Sequence, residues 1–409
     1  KAADAQKAAE AQKENGIKRF FKKLNPFRTL SAEENALKAE GIVNKAQKYQ
    51  PSILKQIFSE NGPRELKNEK LKKAYVKAVD LNPTKHEYFT ELGNLSGGKE
   101  ASEYYKKAIE LAPDHPEAYF QLGNRLNNMN GVEYLYKALE KTPEADSARI
   151  HIALGGKLSN EAGMTHLEKA LAIDPKNAEV HIKIANRSEG EKSIQHFKNA
   201  AEIEPENMNY QTKFAHSLNN NKRYEEALPI YQKVVDKLPD NALANKNIAE
   251  NYDSLAMQAD YGSDIRKEYA NKAVGYFEAS NKLEESSNCL KSIANCHKWY
   301  LNDDVKAIEY FKKAAELEEK TLKNIKNPSV YKYQDVADLF ADSKDNTKAA
   351  RYYDKAIELS TKDQDLVKNR CQNNLEYVIK NFHESKPTDK VLIDEMNELA
   401  KKHNINLNS

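Results

Sequence analysis

Cysteine is scarce in this chain, with only Cys289, Cys296 and Cys371 in 409 residues and no CxxC pair. An odd count without close pairs fits a reducing compartment and argues against a disulfide framework. No run of 18 apolar residues occurs, so no stretch reads as a membrane-spanning helix. No alternating run is long enough to argue for a sheet, which leaves an all-α reading. An excess of one charge is missing too, since 64 basic and 62 acidic side chains leave a formal +2. Nucleic acid is therefore not an expected partner, because binding its backbone needs a basic stripe. Phosphate loops and nucleophile elbows are absent, and Gly97-Gly98 and Gly155-Gly156 read as turn glycines. Cys296-His297 is the one pair suggestive of chemistry, yet adjacent helical side chains point about 100° apart. With no carboxylate or second His at ligand spacing, no catalytic residue, metal site or cofactor is expected.

What the chain does have is recurrence. Leu92-Gly93-Asn94 and Leu122-Gly123-Asn124 repeat a tripeptide, and each Gly is followed twenty residues later by Pro113 or Pro143. A Lys-Ala pair, Lys107-Ala108 or Lys137-Ala138, stands five residues before each Pro. Leu154-Gly155 leads to Pro175, Ile184-Ala185 to Pro205 and Phe214-Ala215 to Pro239, while Pro83 behind Tyr75 and Ala78 closes an earlier unit. Each unit reads as helix A with a large-then-small pair, a turn, and helix B with a large residue three before an Ala: Tyr105/Ala108, Leu135/Ala138, Leu167/Ala170, Phe197/Ala200. Small residues let helices approach, large ones fill the gap, and Pro stops helix B because it lacks an N–H and its ring clashes with the preceding turn.

This pattern resembles the tetratricopeptide repeat family, whose units carry Leu-Gly, Tyr, Ala, Phe and Pro in that order. Ala215, Tyr224, Ala227, Tyr231 and Pro239 fall at the family's places, and later units follow at Ile293-Ala294/Ala307/Phe311/Ala314 and Val336-Ala337/Ala349/Tyr353/Ala356. The unit at Ile248-Ala249 is stretched by about twelve residues through Asp260 to Arg266, before Ala273 and Phe277. The expected fold is an α-solenoid, a right-handed superhelix of about nine helix-turn-helix units spanning roughly three quarters of the chain. Four consecutive units are shortened to 30 or 32 residues, and losing about one helical turn should shorten both helices and make a shallower groove. A mean hydropathy of −0.85 suits a thin structure with much surface.

Three regions follow: residues 1–50 as a helical extension, 51–360 as the repeat array, and 361–409 as capping helices. Within the first, Gly16 to Leu30 holds Lys18, Arg19, Lys22, Lys23 and Arg28 with no acid, and Ile17, Phe20, Phe21 and Leu24 share one helical face. Three roles stay open for it: a cap on the first repeat, docking into a partner, or a peripheral membrane anchor through Phe20, Phe21, Lys22 and Lys23. Ser31-Ala32-Glu33-Glu34 reads as a capping box that starts a helix running to about Tyr49. His151, His166, His181 and His196 recur near fifteen-residue intervals and read as packing residues. The chain opens at Lys1 without a Met, so it is expected to be a processed form or a fragment.

The resemblance implies a groove lined by helix A, met by a protein or peptide two positions before and after the large residue of each large–small pair. Those positions include Asn94, Asn124, Asn186, Lys246, Lys291 and Asn295. Lys291 and Asn295 also match half of the family's carboxylate clamp, but Asp335 stands where its next Asn belongs. The expectation is a non-catalytic, cytoplasmic adaptor binding protein along its concave face, of unknown oligomeric state. A structural spacer in a large assembly and a regulatory region of a longer protein are the alternatives.

Overall fold

A computed structural model describes residues 32–48, 63–127, 129–159, 161–360, 365–385 and 387–407, and among these every regular element is helical. The chain divides into two compact units, residues 1–187 and 188–409. The first holds the pair α1 (Ala32–Gln47) and α2 (Pro63–Leu81). It continues with the hairpins α3 (His86–Asn94) and α4 (Gly98–Leu111), α5 (Pro116–Arg125) and α6 (Met129–Glu140), and α7 (Ala148–Lys157) and α8 (Glu161–Ile173), and it ends with α9 (Ala178–Ala185). The second opens with α10 (Gly190–Ile203). Its hairpins are α11 (Met208–Asn220) and α12 (Tyr224–Lys237), α13 (Ala242–Gln258) and α14 (Asp264–Leu283), α15 (Ser287–Trp299) and α16 (Asp304–Lys323), and α17 (Val330–Asp342) and α18 (Asn346–Leu359). The closing pair is α19 (Asp365–Glu384) and α20 (Lys390–Lys402). Phe20, Phe21, Lys22, Lys23 and the capping-box Ser31 lie outside the described residues.

One register explains why these hairpins form. Each helix A starts seven residues before its small residue, as His86 before Gly93, Met208 before Ala215 and Val330 before Ala337. That residue meets the large side chain of helix B. A Cβ on Gly155 would stand 2.6 Å from Leu167 Cγ, and one on Gly123 would stand 2.8 Å from the Gly131 carbonyl oxygen. The large partners Tyr105, Leu135, Leu167, Tyr231, Phe277, Phe311 and Tyr353 are buried, each contributing about 1.5–3 kcal/mol on burial. Between hairpins, the Asn two residues after Pro175, Pro205 and Pro239 caps the next helix A: Asn177, Asn207 and Asn241 accept from the N–H three residues on.

The shortening falls on one helix only, contrary to the expectation that both would shrink. In the short units helix A has 9, 10, 10 and 8 residues against 13 in α11, α15 and α17. Helix B keeps 12 to 14 residues, against 14 in α12 and α18. The cause is in the ending of helix A. Full-length hairpins run on to a left-handed residue, Lys222 (φ 60°), Asn302 (φ 52°) or Lys344 (φ 65°), which lets Arg223 N–H reach the Leu218 carbonyl and Asp345 N–H the Phe340 carbonyl. Two of the short hairpins, α5–α6 and α7–α8, stop instead at an extended Leu126 or Leu158, and Gly131 and Gly163 of helix B press against those carbonyls, while α3 and α9 end at Leu95 and Asn186 and their helices B open on the left-handed Gly98 (φ 54°) and Gly190 (φ 57°). Gly155 and Gly156 sit inside α7 rather than in a turn, a second correction, since only the neighbouring Gly131/Gly163 contacts mark where the turn lies.

The extra dozen residues of the stretched unit lengthen α13 to 17 residues and α14 to 20, the remainder widening the turn. The closing pair is packed by apolar contact: Cys371, Leu375, Val378, Ile379, Phe382, Met396 and Ala400 join the core of α17 and α18. At the start, Ala39 and Val43 of α1 pack with Tyr75, Ala78 and Val79 of α2 and with Tyr88, Phe89 and Leu92 of α3.

Candidate functional site

Two register rows on helix A carry the candidate residues, three positions before the small residue and one after it. In the first unit the earlier row is Thr90, Phe120, Ile152 and Ile182, without a charge. The later row there supplies Asn94, Asn124 and Asn186. Asn94 is engaged within its own hairpin, where Tyr105 O–H donates to its Oδ1 at 2.9 Å. Asn124 is exposed on α5, and Asn186 is the exposed C-cap of α9. These three amides do not converge on one point.

The second unit differs in kind. Its earlier row is Thr212, Lys246, Lys291 and Gln334, and its later row is His216, Glu250, Asn295 and Asp338. Lys246 Nζ lies 3.4 Å from Glu250 Oε1, and Gln334 Nε2 donates to Asp338 Oδ2 at 3.5 Å, so two helices pair their own row members one turn apart. Burial lifts the Asp335 carboxyl above the ordinary aspartate range; Asp338 and Glu318 add to the lift, while Lys332 and Lys291 oppose it. Lys291 therefore faces an acid on α17 where a carboxylate clamp needs an amide, which makes this place repel a ligand carboxylate. Lys298, one turn beyond Asn295, pairs with Asp342 at 3.2 Å. The rows present donors, acceptors and both charges, a set able to hold a polar or mixed-charge chain.

Sequence reasoning missed Asp338, the most connected member. Tyr353 O–H donates to its Oδ1 at 2.5 Å, Asn374 Nδ2 donates to the same oxygen at 3.3 Å, and Arg370 stands 3.9 Å away. Apart from Gln334, its partners lie 15 to 36 residues off, beyond any local spacing rule; the one available signal was an acid at the place where the preceding unit carries Asn295.

The remaining polar groups serve packing. His181 Nε2, Gln211 Nε2 and Asn245 Nδ2 reach the Pro175, Pro205 and Pro239 carbonyls at 3.2, 3.3 and 2.8 Å, tying each inter-hairpin turn to the next helix. His151 occupies the same register, but two extra residues carry Pro143 out of reach. It pairs instead with His166, Nδ1 to Nδ1 at 2.8 Å, and His166 Nε2 lies 3.1 Å from the Tyr136 hydroxyl. Cys296 is buried with its thiol 3.5 Å from Asp253 Oδ1, and burial first, then that carboxyl, pushes the thiol far up, opposite to a reactive cysteine. Among the described residues no group of three or more His, Cys, Asp or Glu is placed to hold a metal ion, and no helix is long and apolar enough to cross a membrane.

Residues 99–115, most of α4 and the turn after it, match the model of the tetratricopeptide repeat family. No curated protein matches the sequence. Among solved structures, the human IFIT1 dimer with m7Gppp-AAAA is similar at 15% identity and a TM-score of 0.40, over 93% of this chain and 88% of that one. MamA from Desulfovibrio magneticus RS-1 is 19% identical over 44% of this chain and 97% of its own, with a TM-score of 0.37. TTC0263, a thermophilic TPR protein of Thermus thermophilus, is 18% identical over 48% and 98%, with a TM-score of 0.35. Likeness at this level carries nothing about what the chain binds.

Proposed function

We propose that this chain, a member of the tetratricopeptide repeat family, is a non-catalytic scaffold that binds a protein or peptide along its helix-A rows, with Lys246, Lys291 and Asn295 as polar contacts. The observation that carries this reading is the change of row chemistry between units: uncharged residues on α3 to α9, charged and polar ones on α13, α15 and α17. A partner segment of mixed charge suits that set, because Lys246 pairs with Glu250, Lys298 with Asp342, and Lys291 acts on Asp335, acids that a partner can replace or extend. The uncharged first-unit row favours a spacer role for the short hairpins, with Asn124 and Asn186 as backbone contacts at most. Peripheral membrane contact through residues 16–30 remains part of the proposal and rests on that segment's composition alone.

The test is comparative capture from native-cell extract with Lys246→Glu/Lys291→Glu and, separately, Phe20→Ser/Phe21→Ser. Reversing two groove charges should reduce recovery of a partner about tenfold or more, equivalent to roughly 1.4 kcal/mol, with helicity unchanged. Capture that survives the Lys pair and disappears with the Phe pair moves binding to the N-terminal segment and sinks the groove reading.

A further inference from the structure

The residues that set the α13–α14 hairpin apart build a projection. α13 continues nine residues past Ala249, to Gln258, where α11 continues five past Ala215. α14 begins thirteen residues before Phe277, where α12 begins seven before Tyr231. All of the added helix thus lies at the turn end, which overshoots the preceding hairpin by roughly 6–9 Å at 1.5 Å per residue.

That end exposes several large apolar side chains. Met257 is 61% exposed, Tyr261 83% and Ile265 49%, and at the turn of the next hairpin, α15–α16, Trp299 is 57% and Val305 79% exposed. Arg266 joins the two turns, its guanidinium 5.5 Å from the Tyr261 ring and 4.8 Å from that of Tyr300, while its Nη1 donates to the Ala259 carbonyl at 3.1 Å. Apolar residues exposed singly need no account, but several at the ends of two adjacent hairpins, whose turns Arg266 links, do. Insertions in repeat arrays collect on one face, often the binding face.

The rim gives the sign of the partner. Asp260, Asp264, Asp303 and Asp304 stand in the same two turns as the apolar residues, with Asp260, Asp264 and Asp304 exposed. The cations among them are engaged, Lys267 with Asp264 and Lys306 with Asp303, both at 3.8 Å, Lys298 with Asp342, and Arg266 between two rings, which leaves Asp260 and Asp304 as the exposed acids without a side-chain partner among the described residues. We propose that this turn-end surface, distinct from the Lys246/Lys291 rows, docks a protein segment that presents apolar side chains among lysines or arginines.

Trp299 is the only tryptophan in the chain, so its emission reports on this surface directly. The probe is a 15-residue amphipathic Leu/Lys peptide added to the whole chain, with a Leu/Glu peptide of the same pattern as control. Expected is a saturable blue shift with the Leu/Lys peptide, weakening as salt rises, and at least tenfold weaker binding by Tyr261→Ser/Ile265→Ser. Both positions are exposed, and the variant should match the parent in circular dichroism and melting. Lys246→Glu/Lys291→Glu should bind the probe as the parent does. No shift, an equal shift with the Leu/Glu peptide, undiminished binding by the Tyr261/Ile265 variant, or loss in the Lys variant would each overturn the assignment. The Lys variant separates failure of this surface from failure of the groove reading.

Discussion

Gly155 and Gly156 are neighbours in the last turns of α7, and replacing each by Ala should move stability in opposite directions. On helix propensity alone, either change gains up to about 1 kcal/mol, since Ala restricts the unfolded chain and suits the helix. Gly156 has nothing within 4 Å of its Cβ position, so Gly156→Ala should keep that gain. At Gly155 the new methyl would stand 2.6 Å from both Cγ and Cδ2 of the fully buried Leu167, and 3.1 Å from the Gly163 carbonyl oxygen. Leu167 Cγ cannot withdraw without shifting α8, so overpacking of about 1–3 kcal/mol enters against the propensity gain. Because the propensity contribution nearly cancels between two adjacent positions, their difference isolates the overpacking. Urea melts followed by helical circular dichroism should place Gly155→Ala below Gly156→Ala by about 1–3 kcal/mol, with unchanged slopes. Equal stabilisation of both variants would refute the close approach of α7 and α8 and, with it, the small–large register.

Three further outcomes follow from buried contacts. Burial, together with Lys169 for both rings and with His166 for His151, lowers the His151 and His166 values, Glu144 alone opposing at His151, so both are neutral in the folded state near pH 7. The unfolded chain then binds more protons, and stability present above about pH 6.5 should fall on acidification, at a limiting slope of about 1.4 kcal/mol per pH unit for each ring; urea melts at pH 7.5 and 5.5 that change equally in His151→Gln/His166→Gln and the parent would contradict this. Ala108, buried where α4 meets its neighbours, should cost about 1–3 kcal/mol as Ala108→Leu, and a melt matching the parent would show that the contact is looser than described. Tyr353→Phe removes the O–H that donates to Asp338 and should cost about 1.5 kcal/mol, read by urea melts at neutral pH; an unchanged midpoint would mean that water replaces the hydroxyl without loss.

How much of this was legible in the sequence depends on how far apart the interacting residues are. The pairing of Leu92-Gly93 with Tyr105, the stops at Pro113 and Pro175, and the closing helices from Asp365 and Asp389 were all legible, because each rests on contacts within one helix or one hairpin. A helix writes its buried face at i, i+3, i+4 and i+7, and a capping Pro or Asn acts within a few residues, so such signals survive in one dimension. The place of the missing turn did not: the sequence showed residues lost between Gly123 and Leu135, but whether α5 or α6 lost them depends on backbone conformation at a single residue, extended at Leu126 where the full-length hairpin is left-handed at Lys222.

The sequence by itself determined the class of the molecule, the hairpin unit and its register, and the rows on which the candidate residues stand. Only the tertiary structure decided which of those residues are already engaged. Asn94 accepts from Tyr105, Lys246 faces Glu250, Lys291 stands near Asp335, and Asp338 gathers Tyr353, Asn374 and Gln334. It alone also put Tyr261, Arg266 and Tyr300 beside one another at the end of the lengthened hairpin. The reason is geometric. Contacts between hairpins depend on how far each helix extends past its small residue and how neighbouring helices stack, and neither quantity has a period in the sequence.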